Sequence, residues 1–191
     1  MTTPISDELM AKGREVRAAS QKLAVLSTFM KDQVLLNIAD ALTKHQHAIL
    51  MANAADYEDA KSEGLSDAML DRLRLNPERL LSLARDVVRV VSLPDPIGES
   101  FDTNTLPNGL VVGKRRVPLG VIGSIYESRP NVTIDIISLS LKSGNACMLR
   151  GGKEALRSNQ ALVDLAQRAM ADAGVDQGAV QFVDDPDRSR V

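Results

Sequence analysis

The stretch from Val117 to Gly152 limits what this chain of 191 residues can fold into more than any other part of it. It begins with a short apolar run, Leu119–Tyr126, which is rich in β-branched residues and contains two glycines. This length and composition are typical of a buried strand rather than of a helix. Pro130 follows after a few polar residues and cannot lie inside a central strand, so the strand is predicted to end before it.

Beyond the proline the apolar spacing changes to that of a helix. Val132, Ile136 and Leu139 recur at intervals of four and three residues, and they are predicted to form the apolar side of a helix. Gly144 is placed to end that helix. The chain therefore passes from a strand into a helix within this stretch.

The same alternation continues toward the C-terminus. A second strand, a long helix and a third strand are predicted at Ala146–Leu149, from near Glu154 to Gly174, and at Ala179–Val183. Strands that alternate with helices indicate an α/β fold with a parallel sheet and crossover helices. Ligands of such sheets bind beyond the carboxyl ends of the strands. Two polar turns, Glu127–Asn131 and Arg150–Lys153, fall at such ends, so a site is predicted there.

The chain divides into three regions by its sequence pattern. Residues 1–96 carry apolar residues at helical spacing and are predicted to be helical, with one helix that begins at Asn76-Pro77. Residues 97–116 are predicted to form an extended hairpin around the turn Pro107-Asn108-Gly109. Residues 117–191 contain the partial βαβαβ unit.

Composition excludes several classes of partner. A net charge of -2 and an aromatic content of 3% give no reason to expect nucleic acid or an anionic membrane. No apolar run approaches the roughly 20 residues of a membrane-spanning helix, and the N-terminus has no apolar segment typical of a signal peptide. One cysteine allows no internal disulfide and fits a reducing compartment, so a cytoplasmic protein is expected.

The turn Arg150–Lys153 carries a clear chemical signal. Gly151 and Gly152 would let backbone amides approach an anion closely, and the N-terminus of the following helix would point to the same place. Arg150 and Lys153 add cationic groups suited to phosphate. The alternative is that this strand-to-helix turn contains glycines for steric reasons alone. Neither the G-x-G-x-x-G motif nor the G-x-x-x-x-G-K-[ST] motif occurs.

The turn Glu127–Asn131 offers a second set of polar groups. The guanidinium of Arg129 has the planar fork that binds a carboxylate or a phosphate. For Asn131, which follows Pro130, the alternative to a functional role is that its side chain caps the helix that begins there.

The remaining reactive side chains are interpreted as structural. Cys147 lies inside an apolar strand, where a thiol is predicted to be a buried and inert small hydrophobe. His45 and His47 are two residues apart on a helical stretch, so they point to different faces and cannot bind one metal ion together. No metal site is therefore predicted.

The residues around the two turns resemble one enzyme family. The run PLGVIGSIYESRPNVT, followed by LKSGNACMLRGGKEA, is similar to the γ-glutamyl phosphate reductases (glutamate-5-semialdehyde dehydrogenases) of the aldehyde dehydrogenase superfamily. The resemblance extends upstream through DRLRLNPERLLSLARDVVRVVSLPDPIGE and covers nearly the whole chain. It implies a Rossmann-like cofactor sheet that binds its nucleotide without the glycine fingerprint, and it assigns residues 97–116 to a region used for oligomerisation.

The resemblance also implies that the chain matches only the N-terminal part of the family. The family's nucleophilic cysteine lies downstream in a separate catalytic domain, which we expect to be absent from these 191 residues. The chain alone is therefore expected to be inactive.

The resemblance implies a nucleotide site at the second turn. In aldehyde dehydrogenases a lysine at the position of Arg150 contacts the adenosine ribose, and a nearby glutamate often excludes the 2′-phosphate. Here Lys153 is near that selecting position, and a cation there would favour NADPH over NADH because it can pair with the 2′-phosphate. The expected NADP site consists of Arg150, Gly151, Gly152, Lys153 and Glu154.

The first turn is expected to serve the reaction itself. Aldehyde dehydrogenases use an asparagine amide in this turn to stabilise the oxyanion, and Asn131 is the candidate here. The spacing differs from the Asn-x-Pro of the superfamily, so Ser128 and Arg129 are alternatives for this role. Both Ser128 and Arg129 are expected to contact the substrate.

The implied function is the NADPH-dependent reduction of γ-glutamyl phosphate to glutamate-5-semialdehyde in proline biosynthesis, with this chain supplying the cofactor-binding part. Glutamate 5-kinase is a candidate pathway partner, and the full-length protein is expected to be a homo-oligomer. One alternative is a catalytically inactive remnant that binds a nucleotide or a protein. Another is a related acylating aldehyde dehydrogenase with a different substrate.

Overall fold

The structure, a computed structural model, describes residues 7–185. Residues 1–6 and 186–191, the outer ends of the first and last predicted regions, lie outside it. The N-terminal helices are α1 (Asp7–Leu23), α2 (Thr28–Lys44), α3 (Gln46–Ser62), α4 (Asp67–Leu73) and α5 (Pro77–Ser92). The later elements are β1 (Ser100–Thr105), β2 (Val111–Arg115), β3 (Val121–Ile125), α6 (Pro130–Lys142), β4 (Ala146–Arg150), α7 (Leu156–Asp172) and β5 (Val180–Phe182). Short 3₁₀ turns at Lys153–Ala155 and Gln177–Ala179 precede α7 and β5.

Local capping decides where α5 begins, as predicted. The Asn76 side chain accepts a hydrogen bond of 2.7 Å from Arg79 N, and Pro77 takes the first helical position, where its missing N–H is no loss. Leu80 and Leu83 on the apolar stripe of α5 are buried, and the helix packs against α2.

Three parallel strands form the sheet in the order β3-β4-β5, so the α/β prediction is confirmed. The register pairs Ile125 with Arg150 and Cys147 with Val180. The crossover helices α6 and α7 pack on the strands, and α2 packs in turn on both of these helices. α1 also contacts the strands.

The main hydrophobic cluster of the described residues connects the N-terminal helices to the sheet. Its fully buried members include Leu35 and Ile38 of α2, Ile134 of α6, Leu149 of β4 and Leu162 of α7. Fully burying one such side chain contributes roughly 1.5–3 kcal/mol. The helical region and the sheet therefore share one core.

The side of α6 that was predicted from its apolar spacing is not its buried side. Val132, Ile136 and Leu139 do share a side, but Leu139 is 54% exposed and the other two are only partly buried. Ile134 and Ile137 instead face the core. Apolar residues recur at helical spacing on both sides of this helix, so contacts with the sheet and with α2 decide which side is buried.

β1 and β2 form the predicted antiparallel hairpin around a turn at Leu106–Gly109. Every residue of both strands is exposed. An ion pair of 2.9 Å joins Lys114 to Asp102, and one of 2.6 Å joins Arg116 to Glu99. Exposed pairs contribute at most about 1 kcal/mol each, so the backbone ladder carries most of the pairing.

Two buried lysines connect α2 to the helices around the site. Lys31 Nζ lies 2.9 Å from Asp95 Oδ2 in the loop after α5. Lys142 Nζ, at the end of α6, lies 2.6 Å from Asp32 Oδ1 and 2.8 Å from Val91 O. A buried ammonium is tolerated only when it is paired in this way, so both contacts fix the positions of α5 and α6 on α2.

Candidate functional site

The turns after β3 and β4 lie side by side at the carboxyl edge of the sheet. Ile125 and Arg150, the last residues of the two strands, are paired. One residue further, Tyr126 N donates a hydrogen bond of 3.0 Å to Arg150 O. Both strands run in the same direction, so Glu127–Asn131 and Gly151–Glu154 leave the sheet next to each other. The sequence predicted this adjacency.

Ser128 and Glu154 connect the two turns directly. Ser128 N donates to Glu154 Oε1 at 2.9 Å, and the Ser128 hydroxyl donates to the same oxygen. Ser128 is buried and has a φ of 35°, in the left-handed region that residues with side chains seldom adopt. Burial would raise the pKa of the Glu154 carboxyl, but the hydrogen bonds from Ser128 outweigh it and hold that pKa below its ordinary value. The carboxylate therefore stabilises a strained turn.

Gly151 and Gly152 each lie against a neighbouring side chain. A Cβ at Gly151 would lie 2.0 Å from Asn159 Nδ2, and a Cβ at Gly152 would lie 2.2 Å from Glu154 Oε1. Both distances are far shorter than a van der Waals contact. The buried Asn159 amide gives a steric reason for Gly151, whereas a Cβ at Gly152 would meet only the movable end of the Glu154 side chain, so the steric alternative accounts for Gly151 alone.

A buried chain of hydrogen bonds behind the turns was not predicted from the sequence. Tyr126 OH lies 2.6 Å from Thr133 Oγ1, and Thr133 Oγ1 donates to Asn159 Oδ1 at 2.9 Å. The Thr133 proton is directed to Asn159, so Tyr126 is the donor of the first bond. Burial raises the pKa of Tyr126 to about 12, and its hydroxyl therefore stays protonated at neutral pH. The chain fixes β3, α6 and α7 relative to one another.

The N-terminus of α7 is not open to an anion, contrary to the prediction. The 3₁₀ turn Lys153–Ala155 comes first, and the helix begins only at Leu156. Ser158 N and Ser158 Oγ donate to Asp56 Oδ2 at 2.7 and 2.6 Å. Asp56 belongs to α3 and is 3% exposed. A carboxylate of the protein thus occupies the place that an anion would take at this helix end.

Lys153, one of the two cations predicted to bind phosphate, borders a small cavity between α3 and the start of α7, together with Arg157, which was not predicted. Lys153 Nζ is 3.1 Å from Glu63 Oε2, and Arg157 Nη1 is 2.7 Å from Asp59 Oδ2. These four residues border the cavity, whose volume is about 180 Å³. Arg150 is half-buried at the end of β4. The Lys153–Glu63 pair is exposed and is worth at most about 1 kcal/mol, so Lys153 can exchange Glu63 for another anion.

Asn131 does not cap α6, so the capping alternative is wrong. The helix begins at Pro130, its N-cap residue is Arg129, and no side chain there accepts a hydrogen bond from the first turn. Asn131 Nδ2 instead lies 3.4 Å from Asp135 Oδ2, one turn along the same helix. Arg129 is exposed, and its guanidinium forms no hydrogen bond or ion pair with any described residue.

Cys147 is a structural thiol, as its apolar surroundings predicted. It is fully buried in β4, and burial raises the pKa of its thiol to about 12. The thiolate is the reactive form of cysteine, so this residue is unsuited to act as a nucleophile.

Away from the turns, the described part of the chain offers few other sites. Within residues 7–185 no group of three or more histidine, cysteine, aspartate or glutamate side chains could hold a metal ion. No helix of that range combines the length and the apolar character needed to cross a membrane. A cavity of about 530 Å³ lies between α2, α3 and α7 and borders no residue of either turn.

Comparison with known proteins identifies similar sequences and structures. No protein-family model matches the chain. It is, however, 52% identical over 184 residues to the γ-glutamyl phosphate reductase of Dehalococcoides mccartyi strain CBDB1, a match that covers 96% of this chain and 43% of that protein. The chain is a relative of the γ-glutamyl phosphate reductases.

Solved structures agree with this relationship. The γ-glutamyl phosphate reductase of Thermotoga maritima matches with a TM-score of 0.93 and 40% identity, over 96% of this chain and 44% of that chain. A probable aldehyde dehydrogenase from Listeria monocytogenes matches with a TM-score of 0.71 and 18% identity, over 96% of this chain and 38% of that chain, which shows the shared fold alone. The chain thus spans less than half the length of the γ-glutamyl phosphate reductases that it matches.

The γ-glutamyl phosphate reductase resemblance assigned five residues of the second turn to the cofactor. The structure places all five, Arg150, Gly151, Gly152, Lys153 and Glu154, at the carboxyl edge of the sheet. Glu154 differs from the others, because its carboxylate accepts a hydrogen bond from Ser128 N in the first turn. Their roles toward NADPH stay predictions, as do those of Ser128, Arg129 and Asn131 toward the substrate.

Proposed function

We propose that the chain supplies the cofactor-binding part of an NADPH-dependent γ-glutamyl phosphate reductase, which forms glutamate-5-semialdehyde in proline biosynthesis. The observation that carries this proposal is the junction of two turns through Ser128 and Glu154 at the carboxyl edge of a parallel sheet. Open α/β sheets bind their ligands at this edge. The identity of 52% to a γ-glutamyl phosphate reductase supports the choice of reaction.

Arg150 and Lys153 are the residues that we assign to the phosphorylated ribose of the cofactor. NADPH, when bound, supplies the hydride for the reduction. Lys153 is free to leave the exposed Glu63 for a 2′-phosphate, since their ion pair is weak. The carboxylate of Glu154 is engaged by Ser128, which weakens its repulsion of an incoming phosphate. This arrangement favours the 2′-phosphorylated cofactor over NADH.

For the oxyanion we assign Asn131 rather than Ser128. The backbone N–H and the hydroxyl of Ser128 both donate to Glu154. Asn131 Nδ2 has only a long contact of 3.4 Å with Asp135, so its amide can turn to a new acceptor. An amide that donates to a developing oxyanion lowers the barrier of acyl transfer. Ser128 then positions the turn, and Arg129 is assigned to the substrate.

The alternative, a binding remnant without catalysis, is favoured by one observation on this chain. Acyl transfer from γ-glutamyl phosphate needs a cysteine thiolate that displaces phosphate from the acyl carbon. Cys147 is the only cysteine of the 191 residues, and it is buried with a raised pKa. The 191-residue chain by itself is therefore expected to bind ligands without turnover. Measurable oxidation of glutamate-5-semialdehyde by the chain with NADP and phosphate would contradict this expectation.

Further partners follow from the proposed reaction. Glutamate 5-kinase is proposed as the pathway partner that supplies the acyl phosphate. The hairpin of β1 and β2 is proposed as a contact between copies of the full-length protein, because Leu110, Val111 and Val112 are exposed apolar residues. A cytoplasmic location is proposed from the single cysteine.

Calorimetric titration of the purified chain with NADPH and with NADH tests the cofactor proposal. We expect NADPH to bind more tightly, and Lys153→Glu to raise the NADPH dissociation constant by about tenfold or more without a matching change for NADH. Lys114→Glu is the matched control, since Lys114 is equally exposed and equally paired with a carboxylate but lies on the hairpin. Equal effects of Lys153→Glu on both cofactors, or no binding of either, would contradict the proposal.

A further inference from the structure

A charged cleft of about 360 Å³ opens beside the first turn of α6. One wall belongs to α6 and its N-cap, and the other to α4, α5 and the residues between them. The charged side chains of the cleft are those of Asp71, Arg72, Arg74, Arg79, Asp86, Arg129 and Asp135. The cleft begins at Arg129 and Asn131, at the end of the turn Glu127–Asn131.

Three charged residues on the α4 and α5 wall, Asp71, Arg79 and Asp86, are paired with close neighbours. Arg79 Nη2 lies 2.7 Å from Asp71 Oδ1, and Arg79 Nη1 donates to Arg74 O at 2.7 Å. Asp86 pairs with Arg89 at 2.8 Å, in an exposed contact. Arg72 and Arg74 on this wall form no ion pair with a described residue, so unpaired charge lies on both walls of the cleft.

Arg129 and Asp135 carry opposite charges in this cleft, yet neither forms an ion pair with a described residue. Asp135 accepts only the long bond from Asn131, and it is half-buried. Burial, together with the negative charge of Asp86, raises the pKa of Asp135. A half-buried carboxylate without a counter-ion is costly, so a cation in the cleft would stabilise it.

We propose that this cleft binds the amino-acid end of a glutamyl substrate, with the α-carboxylate on Arg129 and the α-ammonium on Asp135. An amino acid presents one negative and one positive group on a single carbon. A guanidinium and a carboxylate that line one cleft without pairing to each other match these two groups. A phosphate or a dicarboxylate would satisfy Arg129 and leave Asp135 without a partner. This inference rests on the proposed function, since it names the part of the substrate that this wall receives.

The position of the cleft suits the proposed reaction. Asn131, the residue assigned to the oxyanion, lines the same cleft as Arg129 and Asp135. Arg129 is also the neighbour of Ser128, and consecutive Cα atoms are about 3.8 Å apart. A glutamyl group held by its α-carbon at Arg129 and Asp135 would therefore lie in the same cleft as Asn131.

Amide chemical-shift mapping of the 191-residue chain at pH 7.5 tests the inference with four small probes. These are L-glutamate, glutarate, which lacks the ammonium, 4-aminobutyrate, which lacks the α-carboxylate, and inorganic phosphate. We expect L-glutamate to shift the amides of residues 129–135 and to bind about tenfold or more tightly than either analogue, because each analogue leaves one charged group unpaired. Equal binding of the three, no shift in the cleft, or binding of phosphate alone would overturn the proposal.

Two substitutions separate the two charges. Arg129→Gln should weaken the binding of L-glutamate and glutarate but not of 4-aminobutyrate. Asp135→Asn should weaken the binding of L-glutamate and 4-aminobutyrate but not of glutarate. Arg115→Gln and Asp172→Asn, at exposed positions outside the cleft, should change none of these affinities. A uniform loss across all probes in either variant would overturn the assignment.

The same samples distinguish a failure of this inference from a failure of the proposed function. If the chain binds NADPH but not L-glutamate, only the assignment of the cleft to the substrate is contradicted. Glutamate binding without NADPH binding would remove the cofactor assignment and leave the cleft as an amino-acid site.

Discussion

Ser128 donates two hydrogen bonds, from its backbone N–H and from its hydroxyl, to a single carboxylate oxygen of Glu154, 26 residues further along the chain. This contact joins the turn after β3 and the turn after β4 into one unit. It also holds Ser128 at a φ of 35°, which a serine in a free turn would seldom adopt. A ligand at this edge of the sheet therefore meets a pre-formed surface.

Replacement of Glu154 by alanine should lower the free energy of unfolding by about 1–3 kcal/mol, because two donors of a buried serine lose a charged acceptor. Urea denaturation of the purified chain measures this change. Glu58→Ala, an exposed position on α3, is the control and should change stability by less than about 0.5 kcal/mol. An equal, small effect of both substitutions would show that the contact contributes nothing.

The same carboxylate should contribute to the pH dependence of stability. The pKa of Glu154 in the folded chain lies below its ordinary value of 4.5. A carboxyl with a lowered folded pKa stabilises the fold above its unfolded pKa, and this stabilisation is lost as the pH falls through the folded pKa. Glu154→Gln should therefore lose less stability than the parent chain when the pH is lowered below about 4.5. Parallel stability curves for the two proteins would contradict this account.

A methyl group at Gly151 should be poorly tolerated. Its Cβ would lie 2.0 Å from the buried amide of Asn159, so Gly151→Ala should cost about 1–3 kcal/mol of stability through overpacking. Gly13→Ala provides the matched control, because Gly13 lies inside α1 with no atom within 4 Å of the added Cβ. That substitution should raise stability by about 0.5–1 kcal/mol. Thermal melting curves of both variants compare the two effects, and a neutral Gly151→Ala would contradict the steric account.

Cys147 should resist thiol reagents in the folded chain. It is fully buried, and its pKa is raised to about 12, so almost no thiolate is present at neutral pH. Reaction with a coloured disulfide reagent should be slow under native conditions and rapid in denaturant. The reaction of the same cysteine in the unfolded chain is the internal control. Fast reaction of the native protein would show that this cysteine is accessible after all.

Features that depend on neighbouring residues could be predicted from the sequence. The start of α5 at Asn76 and Pro77 follows from capping, which involves residues within one turn. Gly144 and Gly174 end their helices with φ values of 69° and 72°, a conformation that glycine adopts without strain. The alternation of strands and helices along the chain also predicted a parallel sheet, although not the order of its strands.

Features that depend on distant contacts could not be predicted. Asp56 meets Ser158 across 102 residues, and no local pattern indicates that α3 supplies the acceptor for the N-terminus of α7. The buried side of α6 carries Ile134, while the equally apolar position of Leu139 faces solvent. In both cases, packing between elements that are distant in the sequence decides which residues are in contact and which side of a helix is buried.

The most direct test of the central claim is a titration of the isotope-labelled chain with NADPH, followed by its amide chemical shifts. If the Ser128–Glu154 contact joins the two turns into one site, shifts at residues 150–154, which hold Arg150 and Lys153, should extend across that contact to residues 127–131 and saturate with one dissociation constant. Shifts confined to one turn, or located instead around the cavity between α2, α3 and α7, would contradict a shared site.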